Sequence, residues 1–453
     1  LEIRDAHATR VMEFIRSYRP GRPTVVMLPG GLGSQLDRSD TRYRDDIPIP
    51  SFKYDPVWID LGLLFNDDAL KLEIRKDNRD KGSHIIIPDG PLRFLIKPYD
   101  RTEQYFRDER RYNYVVFGFD WRRDIGEAAG FLEDFLRHIR DAVRQRHDGE
   151  DPLANTTLLC HSHGGLVAKV FLHRPGAIRR SIGRVITVAT PFYGNSTHIQ
   201  RYYHGEAALN TLHGRGTVAR ITATFPGPYI FLYLDTETWR DQGAKLGLDE
   251  YPMRDAATGA PADPYDPANF GRYPNWVRRE FIRKAARLLH TIALPLPPSA
   301  QSRMFHIRSG NNNGTFTRLT WAPVTGADFD PDEDELPIGG DAGPGDGTVP
   351  TWSARLAQTP DERVYDLSLA RDHQDILEHR ETLEVVNHII ENDSLPDAVR
   401  VADEIYGGAK PKASEAELQL FLSEIAAGTA TRNDPRATDE AMLNKLVEEM
   451  NLC

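Results

Sequence analysis

Six short apolar runs punctuate the chain: Thr24–Leu28, Tyr114–Gly118, Thr156–Cys160, Arg184–Thr190, Met304–Arg308 and Arg363–Leu369. Each has the length and β-branched content of a strand buried on both faces. Helical spacing separates many of them. Val11, Phe14, Ile15 and Tyr18 share a face before Pro20-Gly21 ends a first helix, and Phe131, Leu132, Phe135, Leu136, Ile139 and Val143 line one side of a helix over 126–147. Leu166, Val167, Val170 and Phe171 continue the pattern to about Arg174, and further helices are predicted over 276–290 and 374–391. Strands alternating with helices predict an α/β fold, with a mostly parallel, doubly wound sheet and crossover helices.

Three stretches break the rhythm. Residues 35–110 are polar and mixed, apart from His84-Ile85-Ile86-Ile87-Pro88, and read as long loops with short helices and one edge strand. Residues 196–301 carry Tyr202, Tyr203, Phe225, Tyr229, Phe231, Tyr233, Trp239 and Trp276 among several prolines. An aromatic insertion between two core strands predicts a cap or lid over an apolar site, or else an extra packing layer. From Asp328 to Pro350 the chain reads as an acidic, Gly/Pro-rich loop. Asp328, Asp330, Asp332 and Asp334 alternate as in calcium loops, but Glu333 replaces the turn glycine and Gly339 stands where a bidentate Glu is needed, so no metal is expected. Beyond Pro396 a helical tail is predicted, with Ser414 and Glu417 as a capping box. The expected organisation is a discontinuous core (1–195 and 302–395), a cap or lid insertion (196–301) and a helical C-terminal extension (396–453).

Composition adds exclusions. A net charge of −11 argues against nucleic acid and strongly anionic membranes as partners. No apolar run reaches the length of a membrane span. The two cysteines, Cys160 and Cys453, cannot build a disulfide framework, which predicts a reducing, cytoplasmic setting. Oligomeric state is left open.

The chemistry centres on Leu158-Leu159-Cys160-His161-Ser162-His163-Gly164-Gly165. An apolar strand, a Ser at a sharp turn and a helix opening on small residues form the layout of the α/β-hydrolase nucleophile elbow, with Cys160 in place of the usual first Gly. A serine nucleophile needs a base, and the base needs an orienting acid. In this fold the order along the chain is Ser, acid, His, and it is met by Ser162, Asp346 (held between Gly345 and Gly347) and His373, each just past a predicted strand end. Asp341 is the alternative acid. The Gly-rich loop Pro29-Gly30-Gly31-Leu32-Gly33 lacks phosphate-loop spacing; an amide near Gly31 together with that of His163 is the expected oxyanion hole. His161 and His163 lie too close to Ser162 to act as its base and are expected to shape the pocket. Asp120 and Arg122 are expected to tie a loop down.

Taken together, several segments resemble the lecithin:cholesterol acyltransferase family, with its lysosomal phospholipase/transacylase and phospholipid:diacylglycerol acyltransferase members. They are Leu28-Pro29-Gly30-Gly31-Leu32-Gly33-Ser34-Gln35-Leu36, Trp58-Ile59-Asp60-Leu61, Phe119-Asp120-Trp121-Arg122, His161-Ser162, Ala189-Thr190-Pro191-Phe192-Tyr193-Gly194, Gly345-Asp346-Gly347-Thr348-Val349 and His373. The resemblance implies an α/β-hydrolase in which Ser162, Asp346 and His373 form the triad, Gly31 and His163 supply the oxyanion hole, and Asp120-Trp121-Arg122 anchors the site. It further implies acyl-ester hydrolysis or acyl transfer on a lipid-like ester through an acyl-enzyme, with lipid-interface contact and no cofactor or metal. The sequence departs at Cys160, in lacking the cysteines of a lid disulfide, and in the character of residues 196–301. A small-ester or thioester hydrolase and a silent interaction module are the competing expectations.

Overall fold

Six strands pair in parallel to form the central sheet: β1 (Thr24–Leu28), β2 (Asn113–Val116), β3 (Thr156–His161), β4 (Arg184–Val188), β5 (Met304–Arg308) and β6 (Val364–Asp366). Their order is β6-β5-β4-β3-β1-β2. The computed structural model describes residues 2–42, 54–58, 72–76, 79–80, 86–92, 98–147, 149–206, 210, 214–310, 312–323 and 325–397. The predicted tail therefore lies outside the described residues from 398 onward, as do Ile59-Asp60-Leu61, His84 and Ile85.

Period-two alternation sorts the strand side chains onto two apolar layers. Val26, Leu28, Leu158, Cys160, Val185 and Met304 join one core with helices α1 (Glu2–Ser17), α2 (Ile125–Arg146) and α3 (His163–His173). The insertion helix α4 (Arg279–Ala293) buries Ile282, Ala285 and Leu289 in the same core. Val25, Met27, Leu159, Ile186, Val188, Phe305 and Ile307 face the other way, onto helix α5 (Arg380–Asn392) through Leu383, Val386 and Ile389. Cover on both faces is why these strands read as unbroken apolar runs. Helix α2 starts cleanly because the Asp124 carboxylate accepts the Gly126 N–H at 2.7 Å.

From β1 the chain moves outward to β2, then crosses to β3 on the opposite side of β1. The C-terminal ends of β1 and β3 therefore flank the point where strand order reverses, which is where open α/β sheets bind ligands. Leu28 stands level with Cys160, and Cys160 with Thr187, so the loops leaving β1, β3 and β4 emerge side by side.

Four expectations need correction. Within 35–110, Ser34–Arg42, Tyr54–Trp58 and Ile86–Pro91 form a three-stranded antiparallel sheet. Its central strand, SQLDRSDTR, carries one aliphatic residue and is held by backbone pairing on both sides, so no apolar period announces it. The expected acidic loop ends in a strand, Ile338–Gly345, antiparallel to Asn312–Trp321. The last core strand stops at Asp366 rather than Leu369. The final helix begins at Arg380 after a short 3-10 turn, Ile376–Glu378, instead of at Gln374.

Residues 196–301 contribute helices Thr197–His204, Arg215–Thr222, Thr236–Lys245 and α4, and a short strand, Met253–Asp255, that pairs in parallel with Asn312–Trp321. Tyr202, Tyr203, Phe225, Tyr229, Tyr233 and Trp239 are buried in one core with the sheet's own residues.

Candidate active site

Strand β3 ends at His161, and Ser162 takes a φ of +48°, a region that residues with a Cβ rarely occupy. Its N–H donates to the Val188 carbonyl at 2.9 Å, and its carbonyl accepts the Gly165 N–H at 3.0 Å, so the turn is fixed from the next strand and from its own helix. Close approach is why glycines follow. A Cβ at Gly164 would lie 2.5 Å from the Leu28 carbonyl oxygen and 2.7 Å from that of Pro29, and one at Gly165 would collide with Thr190. Cys160, by contrast, has a side chain fully buried in the core, and burial pushes its thiol pKa up, which keeps it protonated.

Ser162, His373 and Asp346 meet at this turn. The Ser162 Oγ lies 2.8 Å from His373 Nε2, and His373 Nδ1 lies 2.7 Å from Asp346 Oδ2. Facing an acceptor carboxylate, Nδ1 carries the ring proton, which leaves Nε2 to accept from the serine hydroxyl. Asp346 is nearly fully buried, and its second oxygen accepts the N–H groups of Thr348 at 3.0 Å and Val349 at 2.6 Å. Gly347 adopts a φ of +88° to close that turn, and its N–H donates to Thr315 Oγ1 at 2.7 Å. The His373 N–H donates to the Asp346 carbonyl at 2.8 Å, so side chain and backbone join the same two residues. Asp341 is exposed on the strand Ile338–Gly345, level with Arg318.

The loop after β1 runs beside the serine. A Cβ on Gly30 would sit 3.2 Å from Ser162 Cβ, and one on Gly31 would sit 3.8 Å from His163 Nδ1 and 4.0 Å from the Phe231 ring. The Gly30 N–H is engaged by the Tyr99 hydroxyl at 2.7 Å. Tyr99 has no recognisable motif around it, and nothing in the sequence flags it.

Two histidines flank Ser162 in different settings. His161 bonds Tyr99 through Nδ1 at 2.9 Å and the His373 carbonyl through Nε2 at 2.8 Å. Burial, and then the neighbouring His373, lower its pKa to about 3. His163 packs edge-on against Phe119 and Phe231, and burial alone lowers it to about 3 as well. Among the described residues, neither buried His163 nitrogen has a hydrogen-bond partner, and nor do His198 Nε2 and the Tyr202 hydroxyl nearby. All these imidazoles are neutral at physiological pH.

The Asp120-Trp121-Arg122 segment is a buried tie. Arg122, with no exposed surface, donates to Asp120 from Nε at 2.9 Å, to Asp80 from Nη2 at 2.9 Å and to the Leu72 carbonyl from Nη1 at 2.8 Å. Arg123 bridges the same two carboxylates at 3.1 and 3.0 Å. The guanidiniums hold Asp120 below its usual range despite the cost of burying it.

Residues 97–210, which include the elbow, match the family model of the PGAP1-like alpha/beta domain. The fold is an α/β-hydrolase fold. The family model and the motif series resembling lecithin:cholesterol acyltransferases agree on that fold and name different families within it. A chain of the Tle4–Tli4 complex is similar at 15% identity, covering 82% of this chain and 99% of that one, with a TM-score of 0.49. The mature Bacillus licheniformis lipase BlEst2 is similar at 13% identity, covering 82% of this chain and 93% of that one, with a TM-score of 0.35. No curated protein sequence matches the chain.

Among the described residues, no group of three His, Cys, Asp or Glu side chains is arranged to hold a metal ion, and no helix is long and apolar enough to cross a membrane. What the arrangement can do is move a proton. A hydroxyl, an acceptor imidazole nitrogen and a buried carboxylate stand in bonding sequence, beside the glycine loop that follows β1.

Proposed function

We propose that the chain is a serine-dependent acyl-ester hydrolase or acyltransferase that works through an acyl-Ser162 intermediate on a lipid-like ester. The observation that carries the reading is the bonded series from Ser162 Oγ through His373 to Asp346. In the first half-reaction His373 Nε2 takes the hydroxyl proton as Oγ attacks the ester carbonyl. The imidazolium then gives that proton to the departing alcohol. Asp346 holds the Nδ1–H tautomer and stabilises the imidazolium. In the second half, water or an alcohol attacks the acyl-enzyme as His373 takes its proton, and the imidazolium returns that proton to Ser162 Oγ as the acyl–Oγ bond breaks. Water gives hydrolysis and an alcohol gives transfer.

The developing oxyanion needs donors. Tyr99 engages the Gly30 amide, so the loop's donor in this reading is Gly31, working with the His163 amide at the head of α3. The neutral, ring-lined surroundings of His163, with Phe119 and Phe231, favour an apolar acyl group over a charged one. Phe231 comes from the 196–301 insertion, which supports reading that segment as a cap over the site.

Labelling by a fluorophosphonate probe tests the nucleophile. Wild-type protein should label and release acid from a long-chain ester, and Ser162→Ala should do neither while remaining folded. A folded wild-type protein that takes no label would sink the proposal. Product analysis with and without added alcohol then separates hydrolysis from transfer.

A further inference from the structure

We infer that Tyr99 and His161 are positioning residues that join the oxyanion loop to the catalytic base across Ser162. The inference rests on the ester-hydrolase reading and adds to it a device that sets the spacing of the two halves of the site.

The hydrogen-bond chain leaves little freedom of assignment. The His373 carbonyl can only accept, so His161 Nε2, at 2.8 Å, must carry the proton. His161 is neutral, so its Nδ1 is a bare acceptor and takes the Tyr99 hydroxyl proton at 2.9 Å. The Tyr99 oxygen is then free to accept the Gly30 N–H at 2.7 Å. The direction is fixed from end to end: Gly30 N–H to Tyr99 Oη, Tyr99 O–H to His161 Nδ1, His161 Nε2–H to the His373 carbonyl. Both side chains are buried, so water does not substitute for any of the three bonds.

The loop is also shaped around the tyrosine. A Cβ at Gly33 would lie 2.7 Å from Tyr99 Oη, and one at Gly30 would lie 3.0 Å from His161 Nδ1. The glycines cradle the hydroxyl and the ring, and Gly33 N–H closes the loop onto the Gly30 carbonyl at 3.2 Å. Two consequences follow. Engaging Gly30 leaves Gly31 as the amide that faces a substrate. The loop and His373 are held by one chain, so a shift of either moves the oxyanion donors relative to Nε2. Rate is sensitive to such shifts, since misplacement by about 1 Å can cost on the order of a hundredfold.

The test compares Tyr99→Phe, His161→Leu, His161→Gln and the double variant Tyr99→Phe/His161→Leu in steady-state turnover of a long-chain ester and in fluorophosphonate labelling rate. Tyr99→Phe keeps the ring and removes one oxygen. It should lower kcat roughly ten- to a hundredfold with KM changed less than about threefold, and should slow labelling in step. The double variant should be no slower than the worse single, and His161→Gln, which can both accept and donate, should exceed His161→Leu. Wild-type kcat in Tyr99→Phe, a loss confined to KM, or additive losses in the double variant would overturn the inference. If His161→Leu does not fold, the kcat and KM of Tyr99→Phe decide alone. A wild-type protein that neither labels nor turns over esters would instead overturn the hydrolase reading, so the two failures are distinguishable.

Discussion

At Ser162 the backbone is held at positive φ by its neighbours' geometry rather than by its own preference, and that explains which residues around it are replaceable. Gly164 and Gly165 have carbonyls and Thr190 pressed against them, whereas Cys160 is a core side chain of β3. This is why Cys160 stands at a motif position usually held by Gly without disturbing the turn. His163 lends the proposed chemistry its amide and an apolar ring setting, while its ring buries two nitrogens with no hydrogen-bond partner among the described residues. An unsatisfied buried polar group costs about 1–3 kcal/mol, set against an aromatic contact gain of about 0.5–1.5 kcal/mol with Phe119 and Phe231. We therefore expect His163→Leu, close to it in volume, to keep ester turnover within a few fold and to melt at the same or a higher temperature. A higher melting temperature with turnover lost would mean that the ring itself touches substrate. At this scale the sequence was informative for residues with local signals: a Ser at a strand end, an Asp between glycines, a His past the last strand. Tyr99 and Thr315 escaped because their roles exist only through partners far away in the chain.

Among the elements, the strand Ile338–Gly345 shows how a sheet can hide in a loop-like sequence. Its residues, IGGDAGPG, argue against a strand by propensity. The glycines are there because side chains of the neighbouring strand lie across them: a Cβ at Gly343 would lie 2.8 Å from Thr317 Cγ2, and one at Gly345 would meet Thr315. The opposite case is the run of buried core strands, whose apolar residues are readable because each one packs against a helix layer. Gly345 directly precedes Asp346, and Thr315 Oγ1 takes the Gly347 N–H of the same turn. Adding a methyl group at Gly345 must push Thr315 aside and loosen the turn that aims Asp346 Oδ2 at His373. Gly345→Ala should thus lower kcat by about tenfold or more through orientation of the base, together with a loss of stability in the 1–3 kcal/mol range of overpacked sites. Steady-state kinetics and urea unfolding of the same variant would check both, and unchanged kcat would mean that Thr315 yields without moving the acid.

Across the whole molecule, the proposed site draws Gly31, Tyr99, Ser162, Asp346 and His373 from widely separated parts of the chain, with Gly31 and Ser162 beside the sheet's reversal of strand order. That reversal is legible as a rule of the fold class, but the contacts that brace it are not, and one of them makes stability depend on pH. Glu378 lies in the turn after His373 and accepts the Arg101 N–H at 3.1 Å, while Thr102 Oγ1 donates to the Leu377 carbonyl at 2.9 Å, which clamps this turn to the segment just after Tyr99. Burial is the main cause that raises the Glu378 pKa from 4.5 to about 8. The Arg101 and Thr102 backbone bonds and the Arg101 charge pull it down, and Asp100 pushes it up. A folded pKa above the unfolded one means that the native state binds the extra proton between those two values. The stabilisation is complete below about pH 4.5 and is lost as pH rises toward 8, at up to about 1.4 kcal/mol per pH unit. Other carboxylates impose their own slopes, so the informative quantity is the difference between wild type and Glu378→Gln. Glutamine mimics the protonated acid at every pH, and the variant should therefore gain on wild type steadily from pH 5 to pH 8 in denaturant titrations. A difference that stays flat over that range would show that Glu378 titrates alike in the folded and unfolded chain, and that this clamp adds no pH dependence to the part of the molecule that carries His373.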